Sequence, residues 1–292
     1  MTSAIQLQIL GPADTARHPA YCDYVAQVFT QADFRRWCEW GQWSGRYRAF
    51  CLFDGERVVA NAALSRMRLC VDGEEVEGFQ LGAVGCLPGY RGQGLARRAL
   101  QAALRACGSA PVLLFANPTV SEFYPRFGFA AAPQWRFEAP VELRPGAEPA
   151  PLLDLADPAD RADFLRLAAV AAPSSATFAA RDYGRIATWY AANGYAAPLR
   201  RLDRDTLVFA QVEDGVLTIE DVFAAAPDRF DPAAALPRLI DAPVHTLGFG
   251  FGPPRGWAQV AATAIEEDAH LFVRGLDLEA LPAHRFPLLA RT

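Results

Sequence analysis

The chain has 292 residues, 52% of them hydrophobic and 21% charged, with a net charge of −5. That is apolar mass for a sizeable core at a length suited to two domains, with no apolar run of the roughly 18 residues that a membrane helix needs and no basic patch and apolar stretch of a secretory signal at the start. All 28 basic residues are arginine, 15 against 14 acids in residues 1–150 and 13 against 19 in residues 151–292, so neither part is the basic stripe of a nucleic-acid binder.

Residues 4–10 alternate apolar and polar side chains, as a first strand does. Tyr21–Phe29 and Asp33–Trp40 follow as two short, aromatic-rich helical patterns. Two hairpins come next. Tyr47–Phe53 turns at Asp54-Gly55 into Arg57–Ser65, and Met67–Val71 turns at Asp72-Gly73 into Val76–Leu87; Asp-Gly between apolar runs is a strong hairpin signal. A Gly-rich turn opens a helix over Gly92–Ala106, a buried strand spans Pro111–Phe115, a short helix ends near Phe127, and a last strand covers about Ala130–Glu138. Residues 139–151 are Pro-rich and read as a linker. Beyond it come a short strand at 151–155 and a helix with Asp157 as N-cap and Pro158 at its first position. A second helix follows over Arg181–Ala192, then strands Thr206–Val212 and Val216–Phe223 and a tail strand Ala269–Val273. Leu247–Pro254, with three glycines, reads as a loop or a bulged strand. The order after residue 150 loosely echoes the order before it, which makes an internal duplication plausible.

The six cysteines, Cys22, Cys38, Cys51, Cys70, Cys86 and Cys107, include no CxxC pair and read as reduced core residues of a cytoplasmic protein. The four histidines are scattered without metal-ligand spacing, so no metal site is expected. The acidic surplus after residue 150 reads first as a solvated surface; attraction of a cationic substrate is the sharper alternative.

Leu81–Leu100 is the most informative stretch. A strand ends at Leu87-Pro88, and Arg91-Gly92-Gln93-Gly94-Leu95-Ala96-Arg97 runs straight into a helix. Such a turn aims free backbone N–H groups at one spot, where the helix dipole favours a pyrophosphate. A Walker loop would need a lysine, and a dinucleotide fingerprint would need a glycine where Arg97 stands. Arg91-x-x-Gly94-x-Ala96 resembles the Q/R-x-x-G-x-G/A motif of the GCN5-related N-acetyltransferases, the GNAT superfamily. Pro88-Gly89-Tyr90 before it is also family-like. Asn117-x-x-Val120-x-x-x-Tyr124-x-x-x-Gly128-Phe129 is similar to the family's later segment. The wording looks most like the tandem-domain, enhanced-intracellular-survival type, without its sterol-carrier-like domain.

The resemblance implies a mixed α/β GNAT fold (α+β class) with a central splayed sheet over residues 1–140, and a second, degenerate GNAT-like domain over 150–292. It implies an acyltransferase that moves an acetyl group from acetyl-CoA to a primary amine of a small molecule by direct transfer, with no metal, nucleic-acid or membrane partner. A peptide or protein acetyltransferase and a non-catalytic acyl-CoA-binding regulatory module are the alternatives, and a homodimer is left open. By the same resemblance Val84, Gly85 and Cys86 line the pantetheine arm, and Arg91, Gly92, Gln93, Gly94, Leu95, Ala96 and Arg97 hold the pyrophosphate. Asn117 contacts pantetheine, and Tyr124 gives a proton to the leaving thiolate. Cys86 stands where the family commonly has Val, and as a small core residue rather than a nucleophile. Asn117 before Pro118 also suits a helix cap. Phe34 and Trp37 fall in the segment that forms one wall of the family's acceptor cleft. Glu77 and Gln80 lie near the place of a general base, with neither assigned. In the survival-type proteins the C-terminal carboxylate is thought to serve, delivered by the domain missing here, and Thr292 is given no such role. The second half is expected to shape the acceptor cleft and to bind no cofactor.

Overall fold

The computed structural model describes residues 4–29, 32–226, 230–253, 260–265 and 270–292. The alternating first segment forms β1 (Gln6–Leu10). Pro19 in the first turn opens α1 (His18–Val28), which turns Tyr21, Cys22, Tyr24 and Val25 inward, and α2 (Arg35–Glu39) follows. β2 (Tyr47–Asp54), β3 (Arg57–Val71) and β4 (Glu74–Cys86) form a meander. Where the sequence predicts two hairpins, their inner strands are one strand of 15 residues. No turn residue separates them. Ser65 and Met67 are buried and Arg66 is exposed, so the period of two runs on unbroken through the junction. Asp72 and Gly73 have φ of +50° and +86°, as a two-residue hairpin turn requires.

α3 (Leu95–Cys107) begins three residues later than predicted, because Gly92 and Gly94 sit at φ +77° and +74° and stay outside the helix. β5 (Val112–Phe115), a 3-10 segment over Pro118–Phe127, β6 (Ala130–Ala131) and β7 (Trp135–Leu143) follow. α4 (Pro158–Val170) is capped as predicted: Asp157 accepts from the N–H groups of Ala159 and Asp160 at 2.7 and 3.2 Å. The predicted strand at 151–155 is a single bridge between Leu152 and Arg200. The helix predicted over Arg181–Ala192 is two elements, β8 (Phe178–Arg181) and α5 (Gly184–Ala192). Asp182 at φ +68° ends the strand and separates them. β9 (Leu199–Asp203), β10 (Thr206–Glu213), β11 (Val216–Ala224), β12 (Val244–Phe249), β13 (Ala261–Ala264) and β14 (Leu271–Arg274) complete the strands. Of the predicted loop and tail strand, Pro254 and Ala269 lie outside the described residues.

Two mixed sheets result. The first runs β1-β2-β3-β4-β5-β14-β6, with β8 beside the far half of β3; the second runs β13-β7-β12-β11-β10-β9. Among the described residues only β4–β5 and β11–β12 pair in parallel. This is the mixed, two-sheet GNAT-like architecture that the motifs imply. The sheets do not divide at the residue boundaries read from the sequence. β7, which includes the start of the supposed linker, lies between β12 and β13 in the second sheet. β8 and β14, from beyond residue 150, lie in the first. The reason is reach: β6 has two residues and cannot cover the edge of β5, whereas β14 pairs with β5 along its whole length. One core fills the space between α1, α3 and the first sheet. A second joins the halves, packing Met67, Leu69 and Leu113 against Phe164, Phe178, Phe223 and Phe286. Among the described residues no helix is long and apolar enough to cross a membrane.

Candidate active site

β4 pairs with β5 only from Phe79 to Leu81, and just beyond it bulges. Gly82 faces Ala63 and Gly85 faces Asn61, which leaves Ala83 and Val84 out of register. Ala83 has φ +48°, a left-handed conformation that costs a non-glycine residue about 1–2 kcal/mol. Buried Asn61 opposes that cost by donating from Nδ2 to the Ala83 carbonyl at 2.9 Å. A bulge bends its strand, and here the bend opens the sheet between β4 and β5. Gly85 lets β4 lie close on α1: a Cβ there would stand 2.7 Å from Val28 Cγ1 and 3.0 Å from the Tyr24 hydroxyl.

The opening leads into a cleft of about 340 Å³. Leu81, Gly82, Ala83 and Val84 form its floor, Asn117 and Tyr124 one side, and Phe34, Trp37 and Tyr47 the other. Tyr124 is held in the 3-10 segment between Phe129 and Phe272. Burial pushes its phenol up to about 12, so it is protonated at neutral pH and able to donate. Asn117 caps the 3-10 segment, its Oδ1 accepting from the Thr119 N–H at 3.1 Å and hydroxyl at 2.9 Å. Trp37 is buried, and its Nε1 donates to the Arg185 carbonyl at 2.8 Å. Phe34 packs edge-on against it at 5.4 Å.

After β4 the chain makes a 3-10 turn at Pro88–Tyr90 and enters the Arg91–Arg97 loop. Gly94, in the left-handed region, is the N-cap of α3, and no side chain caps the helix. The backbone N–H groups of Gly92, Gln93, Gly94, Leu95, Ala96 and Arg97 have no acceptor among the described residues, and nothing stands within 4 Å of where a Cβ on Gly92 or Gly94 would point. Free donors around open space at a helix N-terminus suit a phosphate. Cys86 lies at the end of β4, half-buried, and burial pushes its thiol up, which opposes a thiolate nucleophile.

Several cleft residues carried no sequence signal. Asp182, Arg185, Ile186 and Trp189 come from the β8–α5 region, and Arg291 and Thr292 from the tail. Gln80, one of two groups weighed near the place of a base, holds that tail instead. Its Nε2 donates to the Ala290 carbonyl at 2.6 Å, and its Oε1 accepts from the Thr292 N–H at 2.5 Å and hydroxyl at 3.1 Å. Gly82 makes room, since a Cβ there would be 2.6 Å from the Thr292 hydroxyl. Glu77, the other, pairs with Arg66 and is not on the cleft wall. All six cysteines are free thiols, and among the described residues no His, Cys, Asp and Glu cluster could hold a metal.

Residues 11–132 match the family model of the acetyltransferase (GNAT) domain. No curated protein matches the chain. Among solved structures, a probable N-acyltransferase from Enterococcus faecalis superposes with a TM-score of 0.55 at 13% identity, over 93% of this chain and 72% of that one. Eis1 from Mycobacterium abscessus gives 0.54 at 18% identity, over 99% and 76%. A GCN5-related N-acetyltransferase from Kribbella flavida gives 0.51 at 17%, over 92% and 71%. At such identities the likeness is one of fold, and it extends across both sheets. Residues 11–132 thus match a GNAT acetyltransferase domain, and the chain as a whole is similar in fold to these two-sheet proteins.

Proposed function

We propose that the protein transfers an acetyl group from acetyl-CoA to a primary amine of a small molecule, directly and without a covalent enzyme intermediate. One observation carries the reading: the strand whose bulge opens the cleft runs on into a loop with six unsatisfied N–H groups, so one continuous segment offers a place for a thioester arm and for its pyrophosphate. Acetyl-CoA would supply the activated acyl thioester. Gly92 to Arg97 would bind the pyrophosphate, and Val84, Gly85 and Cys86 the pantetheine arm, with Asn117 Nδ2 on its far side. The amine would enter between Phe34 and Trp37 and attack as the neutral base, its proton given to solvent. Backbone N–H groups at the bulge would face the negative charge that develops on the thioester oxygen. Tyr124 would protonate the departing sulfur, help worth about 10²–10⁴-fold.

Thermal unfolding with and without acetyl-CoA tests the binding half. At 100 times the dissociation constant the ligand adds about 2.7 kcal/mol, a rise of about 5 °C for a chain of this size. Gly94→Trp should abolish the rise, whereas Gly94→Ala, with the same backbone strain but no bulk, should keep it. No rise with the native protein at millimolar acetyl-CoA would remove the reading. Thiol release with small amines then marks the enzyme proposed, release with peptides alone a protein acetyltransferase, and binding without release a regulatory module.

A further inference from the structure

The charge on the cleft wall is opposite to that of the molecule. The chain carries −5, and residues 151–292 hold 19 acids, yet among the described residues Asp182 is the one acidic side chain on the wall, against Arg46, Arg185, Arg291 and Arg66, the last paired with Glu77. Asp182 is already engaged, by Arg46 at 3.1 Å and by Arg68 at 2.9 Å. Two other acids of the second half, Asp160 and Asp163, lie off the cleft and pair with Arg201. Arg185 has no carboxylate partner among the described residues; its Nη1 is held by the Gln42 carbonyl at 3.0 Å and Oε1 at 3.4 Å. Burial and the charge of Arg46 push its guanidinium down, the mark of a cation without a matching anion. One turn further along α5, Trp189 shares that face. Its ring packs at 5.7 Å from Phe34, and its buried Nε1–H has no acceptor among the described residues. An indole N–H and a guanidinium can only donate, so this wall offers donors and positive charge beside flat apolar rings.

We propose that the acetyl acceptor is an amine that also carries a carboxylate or a phosphate, bound through Arg185 and Trp189 with Arg46 and Arg66 at the rim, its apolar body against Phe34 and Trp37. This rests on the acetyltransferase reading above and names its substrate class. The guanidinium fork matches a planar carboxylate or a phosphate in two parallel hydrogen bonds, and the carboxylate of Asp182 on the wall is already held by Arg46 and Arg68. A polycationic amine is therefore the wrong partner for this cleft, despite the acidity of the whole chain.

The test compares paired acceptors at equal concentration of the neutral amine, by thiol release from acetyl-CoA: L-phenylalanine against 2-phenylethylamine, O-phosphoethanolamine against ethanolamine, with spermidine as the polycation. The anionic member of at least one pair should have a kcat/KM about tenfold or more above its partner, the scale of one charge-assisted hydrogen bond, and the pair that shows it tells carboxylate from phosphate. Arg185→Gln should bring that ratio toward one, chiefly through KM, and Arg46→Gln should lower it in a fold of unchanged Tm. Equal use of both members of each pair, or preference for spermidine, would overturn the proposal while leaving the acetyltransferase reading intact. That reading fails separately, through the absence of any thermal shift with acetyl-CoA.

Discussion

Tyr124 is where residue identity bears most directly on chemistry. Its phenol is pushed up to about 12 by burial and lines the cleft, so the proton is held for whatever enters there. Tyr124→Phe keeps the ring packing against Phe129 and Phe272 and removes only the donor. It should lower kcat by about 10²-fold or more and leave the acetyl-CoA thermal shift unchanged; an unchanged kcat would take the proton-donor role away from it. Because the folded-state value lies above the ordinary 10, Tyr124 is half-ionised only near pH 12. An alkaline fall in kcat near pH 8–10 would therefore belong to another group. Cys86 shows the reverse case, a chemically suggestive residue whose surroundings hold it protonated.

At the scale of elements, the tail is the part whose placement most needs explanation. Gln80 is wholly buried in the middle of β4 and spends both ends of its amide on residues 290 and 292. Gln80→Leu fits the same space but strands the Ala290 carbonyl and the Thr292 N–H, at about 1–3 kcal/mol for each buried group left unmade. Tm should fall by several degrees, and amide exchange over residues 286–292 should accelerate. Unaltered exchange there would mean that the tail is held by its apolar packing at Phe286 and Leu289 alone. The β4 bulge and the Arg91–Arg97 loop, by contrast, are held within the first half, so the acetyl-CoA shift should survive this substitution even where amine turnover does not.

For the whole molecule the exchange of strands decides what can fold. β14 closes the first sheet and β7 sits inside the second, and the core built on Phe178 and Phe286 belongs to both. The intact chain should therefore unfold in one cooperative step. A fragment of residues 1–140 lacks β14 and β8, leaves the edge of β5 bare, and should be insoluble or show no cooperative transition. A soluble, cooperatively melting fragment with native acetyl-CoA binding would show the first half to be self-sufficient.

The sequence by itself determined whatever depends on near neighbours. Asp-Gly turns placed the hairpins, Asp157-Pro158 placed the start of α4, and Arg91-x-x-Gly94-x-Ala96 with Tyr124 marked the candidate site, because turn geometry, capping and loop dihedrals are local properties of a few residues. Only the tertiary structure decided the continuity of β3 past Ser65, the partners of β7, β8 and β14, the docking of residue 292 on Gln80 and the sign of charge at the cleft. Pairings across 100–200 residues leave no local pattern, since any strand edge of suitable length accepts another. Net charge likewise counts residues without their positions, and among the described residues Asp182 is the one acid of the second half that lines the cleft, with Arg46, Arg66, Arg185 and Arg291 around it.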